Sequence, residues 1–318
     1  MLLICVLIFI GFALLFKGGD FLVTGAAGIA QKKQVPAFIV GITLVAFGTS
    51  APELFFNLIS ALHGNAEFAL SNVSGSNLIN ICVGIAVSAI LATLSIKRRK
   101  FAKDLVFLFL GPLTIVLFIW LSSRTALTRM HGLLLLAGFV AYLYLTKQEL
   151  SRHNDRLPNS AAACHDESCR REWLLFFLGG IMLYGGGEII FRNALALVGR
   201  LGLSESIVGL TIIAVGTSIP DCAASIIAVL KKQTDIAVGN ILGSNIFNIF
   251  LVLGATILVF QEPIVFNRSN LFDYLNVTLL SFLFCLVVMT RQSLGRLMGI
   301  ITLAYYPLSL YVRIMYFN

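Results

Sequence analysis

The chain has 318 residues, of which 58% are hydrophobic and 12% charged, with a net charge of +8. A soluble domain of this size carries about twice that charged fraction. A water-soluble fold is therefore excluded, and the basic surplus is read against a membrane before a nucleic acid.

Apolar runs of about 20 residues recur along the whole length, the pattern of an all-α polytopic membrane protein. Ten spans are expected in chain order, at 2–27, 36–62, 68–94, 104–122, 130–148, 173–199, 204–230, 236–260, 272–290 and 295–315. The first contains LLICVLIFIGFALLF, without a basic leader or a small-residue cleavage site, and reads as a retained helix. The polar segment 149–172 is a linker between 1–148 and 173–318, each with five spans. Cysteines mostly fall in apolar runs and read as small hydrophobes. Cys164 and Cys169 flank His165 in the polar linker, but no CxxC or second nearby His suggests a metal there.

Lys and Arg set the orientation. The loops on the side reached after the first span hold sixteen of them against six on or near the other side. The richer side, with the 149–172 linker, is expected to be cytoplasmic and both termini outside, in a prokaryotic inner membrane.

A shift of 168 residues superposes the two halves. GITLVAFGTSAPE (41–53) falls on GLTIIAVGTSIPD (209–221), and SNVSGSNLINI (71–81) on GNILGSNIFNI (239–249). Chance similarity of apolar segments does not match polar residues at one fixed offset. Five spans is an odd number, so the second unit enters the membrane upside down, giving two inverted-topology repeats. Their most similar parts lie at about 36–94 and 204–260.

Asp20, Glu53, Glu188 and Asp221 are the acids placed within spans rather than at their ends. Ionised groups at membrane depth are costly and need a partner or a water-filled cavity. Glu53 and Asp221 are repeat-related, and no Lys or Arg in their spans or the spans that follow can neutralise them. A bound cation can. Thr49 and Thr217 precede these acids by four residues, on the same helix face. Ser76 and Asn80, then Ser244 and Asn248, have the same spacing in the next spans. Hydroxyl, amide and carboxylate oxygens suit Ca²⁺ and Na⁺, and no Cys, His or Met cluster suits a softer metal. Pro52 and Pro220 deprive the carbonyls of Gly48 and Gly216 of an amide partner. The second and seventh helices are therefore expected to kink or unwind, with the carbonyls of Ala46 and Ala214 turned to the ions. Asn77 and Asn245 read as packing residues, and Asp20 and Glu188 as structural or gating acids.

The paired motifs resemble the two α-repeats of the cation/Ca²⁺ antiporter superfamily, which includes the Na⁺/Ca²⁺ exchangers. The resemblance covers both repeats and the five-plus-five layout. It implies a cluster of one Ca²⁺ site and neighbouring Na⁺ sites on Thr49, Glu53, Ser76, Asn80, Thr217, Asp221, Ser244 and Asn248, with carbonyls from Ala46 and Ala214. The second acid is Asp where Glu is common. Position 248 is Asn where K⁺-dependent members carry an acid, so the set resembles K⁺-independent exchangers. The 24-residue linker has no room for the regulatory domain of the animal proteins.

The expectation is thus an antiporter exchanging Na⁺ for Ca²⁺ by alternating access, electrogenic, with the first and sixth helices as a loosely packed sliding gate. It has no cofactor besides the transported ions. Its partners are the ions and the bilayer, and one chain supplies the whole site as a monomer. Rival readings are a Ca²⁺/H⁺ or K⁺-dependent antiporter and a cation channel. An intramembrane enzyme is disfavoured because no nucleophile–base pair or HExxH motif is present.

Overall fold

The computed structural model describes residues 2–64, 66–121, 126–154, 169–200, 205–260 and 262–317. Helices α1 (Leu2–Lys32), α2 (Ala37–Leu62), α3 (66–91), α4 (Arg98–Leu121) and α5 (Arg129–Asn154) form the first half. The second half contains α6 (Arg170–Arg200), α7 (Glu205–Leu230), α8 (Thr234–Val259), α9 (Arg268–Arg291) and α10 (Arg296–Phe317). Among the described residues nine of these are long and apolar enough to cross a membrane, and α7 adds a shorter apolar stretch, Val215–Leu230.

Composition decides which helices sit inside. Without a hydrophobic drive between helices in lipid, close packing selects small and hydrogen-bonding residues. These concentrate in α3 and α8, the most enclosed of the candidate spans. Every residue from Ile236 to Phe247 of α8 is buried. The peripheral helices turn large apolar side chains outward, among them Phe9, Trp120, Ile181 and Ile301. Such broad apolar exposure marks a surface meant for lipid.

The expected unwinding at the two prolines does not occur. Helical structure continues through Pro52 and Pro220. The irregular turns are π-helical and lie elsewhere, at Gly41–Val45 in α2, Asn80–Ile85 in α3 and Asn248–Leu253 in α8. The last two begin 168 residues apart, each on a sequence-predicted ligand. A π turn widens the helix by one residue and is frequent at functional sites.

Four two-residue strands, not expected from the sequence, clasp the halves together. β1 (Leu94–Ser95) pairs antiparallel with β4 (Ser293–Leu294), and β2 (Ala126–Leu127) with β3 (Ile264–Val265). The linker is shorter than expected. Helix α5 runs on to Asn154 and α6 starts at Arg170, while Cys164 and His165 lie outside the described residues.

Helices α1 and α6 are not loosely packed. A Cβ at Gly11 would lie 3.0 Å from the carbonyl oxygen of Gly186, and one at Gly18 would lie 2.9 Å from that of Gly179. A Cβ at Gly25 would lie 2.5 Å from the carbonyl oxygen of Glu172. The partners run in opposite directions at seven-residue intervals, so the helices are antiparallel and meet backbone to backbone.

Two further acids are enclosed because the helices extend past the expected ends. Asp104 is fully buried in α4, 3.4 Å from Lys103 Nζ, and it accepts a 3.1 Å hydrogen bond from Tyr142. Asp273 of α9 is held by Arg313 of α10 at 2.7 Å.

Candidate cation site

The GTSxP turns of α2 and α7 and the GSN turns of α3 and α8 converge on one polar cage. Glu53, Asp221, Ser76, Ser244, Asn80 and Asn248 are all completely buried there, and Thr49 is 1% exposed. Asp221 is well supplied with donors. Asn80 Nδ2 donates to its Oδ2 at 2.9 Å and Ser244 Oγ to its Oδ1 at 3.0 Å. The Asn80 bond crosses from the first half to the second.

Glu53 is not so supplied. Its Oε1 accepts a long bond, 3.4 Å, from Ser218 Oγ, Thr217 also interacts with the carboxylate, and its Oε2 has no hydrogen-bond partner. Oδ1 of Asn80, Oγ of Ser50 and both polar atoms of Asn248 are likewise buried without partners. Buried polar atoms are rarely left unmet, and each one calls for an explanation. No ion pair among the described residues involves Glu53 or Asp221, although Asp20, Asp104, Glu188 and Asp273 each have a cationic partner. Two uncompensated carboxylates beside orphaned neutral oxygens form an array suited to hard cations. The described residues hold no group of three or more His, Cys, Asp and Glu, so the array is not a conventional acid cluster.

The cage is braced across the repeats in matching ways. Thr49 Oγ1 donates to Asn240 Oδ1 at 3.1 Å, and Thr217 Oγ1 to Asn72 Oδ1 at 3.0 Å. Each pair becomes the other under the 168-residue shift. Asn240 also donates to the carbonyl of Asp221 at 3.1 Å and to Ser225 Oγ at 2.8 Å. Ser76 Oγ lies 3.4 Å from Thr217 Oγ1. Asn77 Nδ2 reaches the carbonyl of its counterpart Asn245 at 3.4 Å, a structural contact. The carbonyls of Val45 and Ala46, 2.9 and 3.3 Å from Thr49 Oγ1, are alternative acceptors for its one proton, and Ala46 stays in helical backbone rather than being freed by unwinding. Ala214 lies in the backbone of α7, and its side chain is outside the described set. Asn240→Ala removes three of these bonds at once and keeps both acids. The expected cost is about 1–3 kcal/mol, read as a lower unfolding temperature in detergent.

Sequence reasoning missed Ser50, Ser218, Asn72 and Asn240. All four stand in the matched motifs, and their repetition at 168 residues was the available signal. A cavity of about 610 Å³ opens between α2, α6 and α7, lined in part by Thr217, Gly48, Gly216, Pro52, Pro220 and Glu188. Pro52 and Pro220 withhold the amides that would otherwise bond the carbonyls of Gly48 and Gly216, and neither helix breaks there.

The sequence profile of the family described as sodium/calcium exchanger protein matches residues 3–147 and 171–315. The chain belongs to this family. Inner membrane protein YrbG of Escherichia coli is 31% identical over 316 residues, covering 95% of this chain and 94% of that one. Sodium/calcium exchanger MaX1 of Methanosarcina acetivorans is 25% identical over 94% of this chain and 95% of its own. Among solved structures, sodium-calcium exchanger NCX_Mj soaked with 100 mM Na⁺ and 10 mM Sr²⁺ superposes with a TM-score of 0.83 at 26% identity, covering 98% of this chain and 99% of that one. The family is one of transporters, and this exchanger-family chain is a predominantly helical, multi-pass membrane cation/Ca²⁺ antiporter.

Proposed function

We propose that the chain exchanges Na⁺ for Ca²⁺ electrogenically by alternating access, through ten spans arranged as two inverted repeats. The observation that carries this reading is the pair of fully buried, repeat-related acids, Glu53 and Asp221, with no ion pair to either among the described residues. The empty cage carries a charge of about −2, which one Ca²⁺ neutralises and which Na⁺ ions compete for on overlapping oxygens. Glu53, Asp221, Thr49, Thr217, Ser76, Ser244, Asn80 and Asn248 supply side-chain ligands, with backbone oxygen from Ala46 and Ala214. Ser50 and Ser218 join them on the strength of their buried hydroxyls.

The mutually exchanging Thr–Asn braces and the repeat-related π turns support the inverted arrangement. The Lys and Arg distribution supports both termini outside, which puts the 610 Å³ cavity on the outer face. If three Na⁺ move against one Ca²⁺, one net charge crosses per cycle, worth about 2.3 kcal/mol per 100 mV. The inward Na⁺ gradient then drives Ca²⁺ out.

⁴⁵Ca²⁺ uptake into Na⁺-loaded proteoliposomes tests this directly. Uptake should collapse when the Na⁺ gradient is removed and should change with an imposed potential. Uptake indifferent to Na⁺ but driven by a pH gradient would make the chain a Ca²⁺/H⁺ antiporter. A K⁺ requirement is the other arm. Human sodium/potassium/calcium exchanger 1 is 31% identical over 157 residues, 47% of this chain but 14% of that protein. Neutral Asn248 favours the K⁺-independent outcome.

A further inference from the structure

The two repeats end their GTSxP helices in the same turn. After α2, Gly64 is left-handed (φ 74°) and its amide donates to the carbonyl of Ala61 at 3.0 Å. After α7, Lys232 is left-handed (φ 61°) and its amide donates to the carbonyl of Val229 at 2.9 Å. These residues are 168 apart, so His63 occupies the backbone position that Lys231 occupies in the second repeat. By the same shift Asp20 of α1 corresponds to Glu188 of α6, and Thr24 to Arg192.

The side chains at the two ends differ. Lys231 Nζ reaches Asp20 Oδ1 at 2.6 Å, the Asp20 carbonyl at 3.1 Å, and Thr24 Oγ1. That pins the end of α7 to α1. Just inside this tie, a Cβ at Gly19 would lie 3.3 Å from Ile227 Cγ1, so the helices touch. At the other end Glu188 lines the open cavity and is bonded to Arg192 of its own helix at 2.6 Å. The Gly19 counterpart, Gly187, has nothing nearer than Pro220 at 3.6 Å from a built Cβ. At one end a bridging ion pair ties α7 to α1 beneath a shallow surface depression lined by Thr24 and Lys231, and at the other no such tie spans the cavity that reaches Thr217.

We infer that Asp20–Lys231 and Glu188–His63 are repeat-related latches, one engaged in each end state of the transport cycle, with these four as positioning residues for exchange. This rests on the alternating-access reading above. In the present state the first latch holds α7 against α1. When α1 and α6 shift, that tie parts, the cavity closes, and Glu188 exchanges Arg192 for His63. The intrahelical Arg192 keeps Glu188 compensated while its latch is open, the role Lys17, 3.6 Å from Asp20, plays in the other repeat.

The test reads the minor conformation without relying on transport. Ile219, counterpart of cavity-lining Ala51, is replaced by Cys in a Cys5→Ser/Cys164→Ser background and labelled in proteoliposomes with a membrane-impermeant methanethiosulfonate applied from the Lys231 side. Asp20→Asn should raise the labelling rate about fivefold, the effect of losing one partly exposed ion pair. Lys231→Gln should do the same, and the swapped pair Asp20→Lys/Lys231→Asp should restore the parental rate. Glu188→Gln should lower it, because it weakens the latch of the minor state. An unchanged rate in Asp20→Asn, or movement of Asp20→Asn and Glu188→Gln in the same direction, overturns the latches. Absence of labelling in every variant at every Na⁺ and Ca²⁺ ratio overturns alternating access itself, and the latches with it.

Discussion

Glu53→Gln is expected to cut Na⁺-driven Ca²⁺ uptake by at least about 100-fold while leaving the protein folded. A carboxylate about 4 Å from a cation contributes about 4 kcal/mol per unit of cation charge at an effective dielectric of 20. A factor of 100 needs only about 2.8 kcal/mol. The amide keeps the shape and can still accept from Ser218, which now reaches Glu53 Oε1 at 3.4 Å. What it loses is the charge on the acid whose Oε2 has no hydrogen-bond partner. The neighbouring Asp221 is held by Asn80 and Ser244, so the cation's compensation falls mainly to Glu53.

A second measurement separates a lost site from a lost fold. An uncompensated buried carboxylate opposes folding, so the ion-free Glu53→Gln protein should melt no lower than the parent. It should also lose the rise in melting temperature that Ca²⁺ gives the parent, worth about 2.7 kcal/mol at 100 times Kd. Retained exchange, or a Ca²⁺-dependent shift equal to the parent's, removes Glu53 from the site.

Much of this cage was visible in the sequence because charge in an apolar run is anomalous. Glu53 and Asp221 stand out against their surroundings, and the 168-residue register ties them together in sequence alone. The helix ends were legible to within about six residues, least well where α1, α4 and α5 run past the apolar stretch into charged residues. What escaped depends on contacts distant in the chain. Asn240 earns its importance from Thr49, 191 residues away, and nothing local distinguishes it from Asn245, which bonds the carbonyl of Ile241 in its own helix. The π turns at Asn80 and Asn248 reflect packing between helices rather than residue preference. Proline gave the wrong expectation at positions 52 and 220. The missing amide costs one hydrogen bond, and the surrounding helices hold the chain helical regardless. Asp104 and Asp273 fall at the starts of the expected spans 104–122 and 272–290 and are not singled out, but the helices extend and enclose them with Lys103 and Arg313.

Gly243→Ala, a single methyl group, is expected to lower stability by about 1–3 kcal/mol and weaken Ca²⁺ binding by about tenfold or more. Here α8 crosses α2 with backbone touching backbone. A Cβ at Gly243 would stand 2.5 Å from the carbonyl oxygen of Ile42 and 2.7 Å from Ala46 Cβ. One turn earlier, a Cβ at Gly239 would meet the carbonyl oxygen of Phe38 at 2.6 Å, and one at Gly41 that of Ile236 at 2.6 Å. No rotamer change relieves a clash with main chain, so the helices must part by several tenths of an ångström. Ser244, the next residue, holds Asp221 at 3.0 Å, and Thr49 lies one turn beyond Ala46 on the displaced helix. Separating α2 from α8 therefore moves ligands of both repeats at once. Gly185→Ala is the control, since a Cβ there meets nothing within 4 Å. It should be neutral or gain up to about 1 kcal/mol from helix propensity. Thermal unfolding and ⁴⁵Ca²⁺ binding on both variants decide the matter: equal behaviour of the two would show that the α2–α8 contact does not set the spacing of the cage.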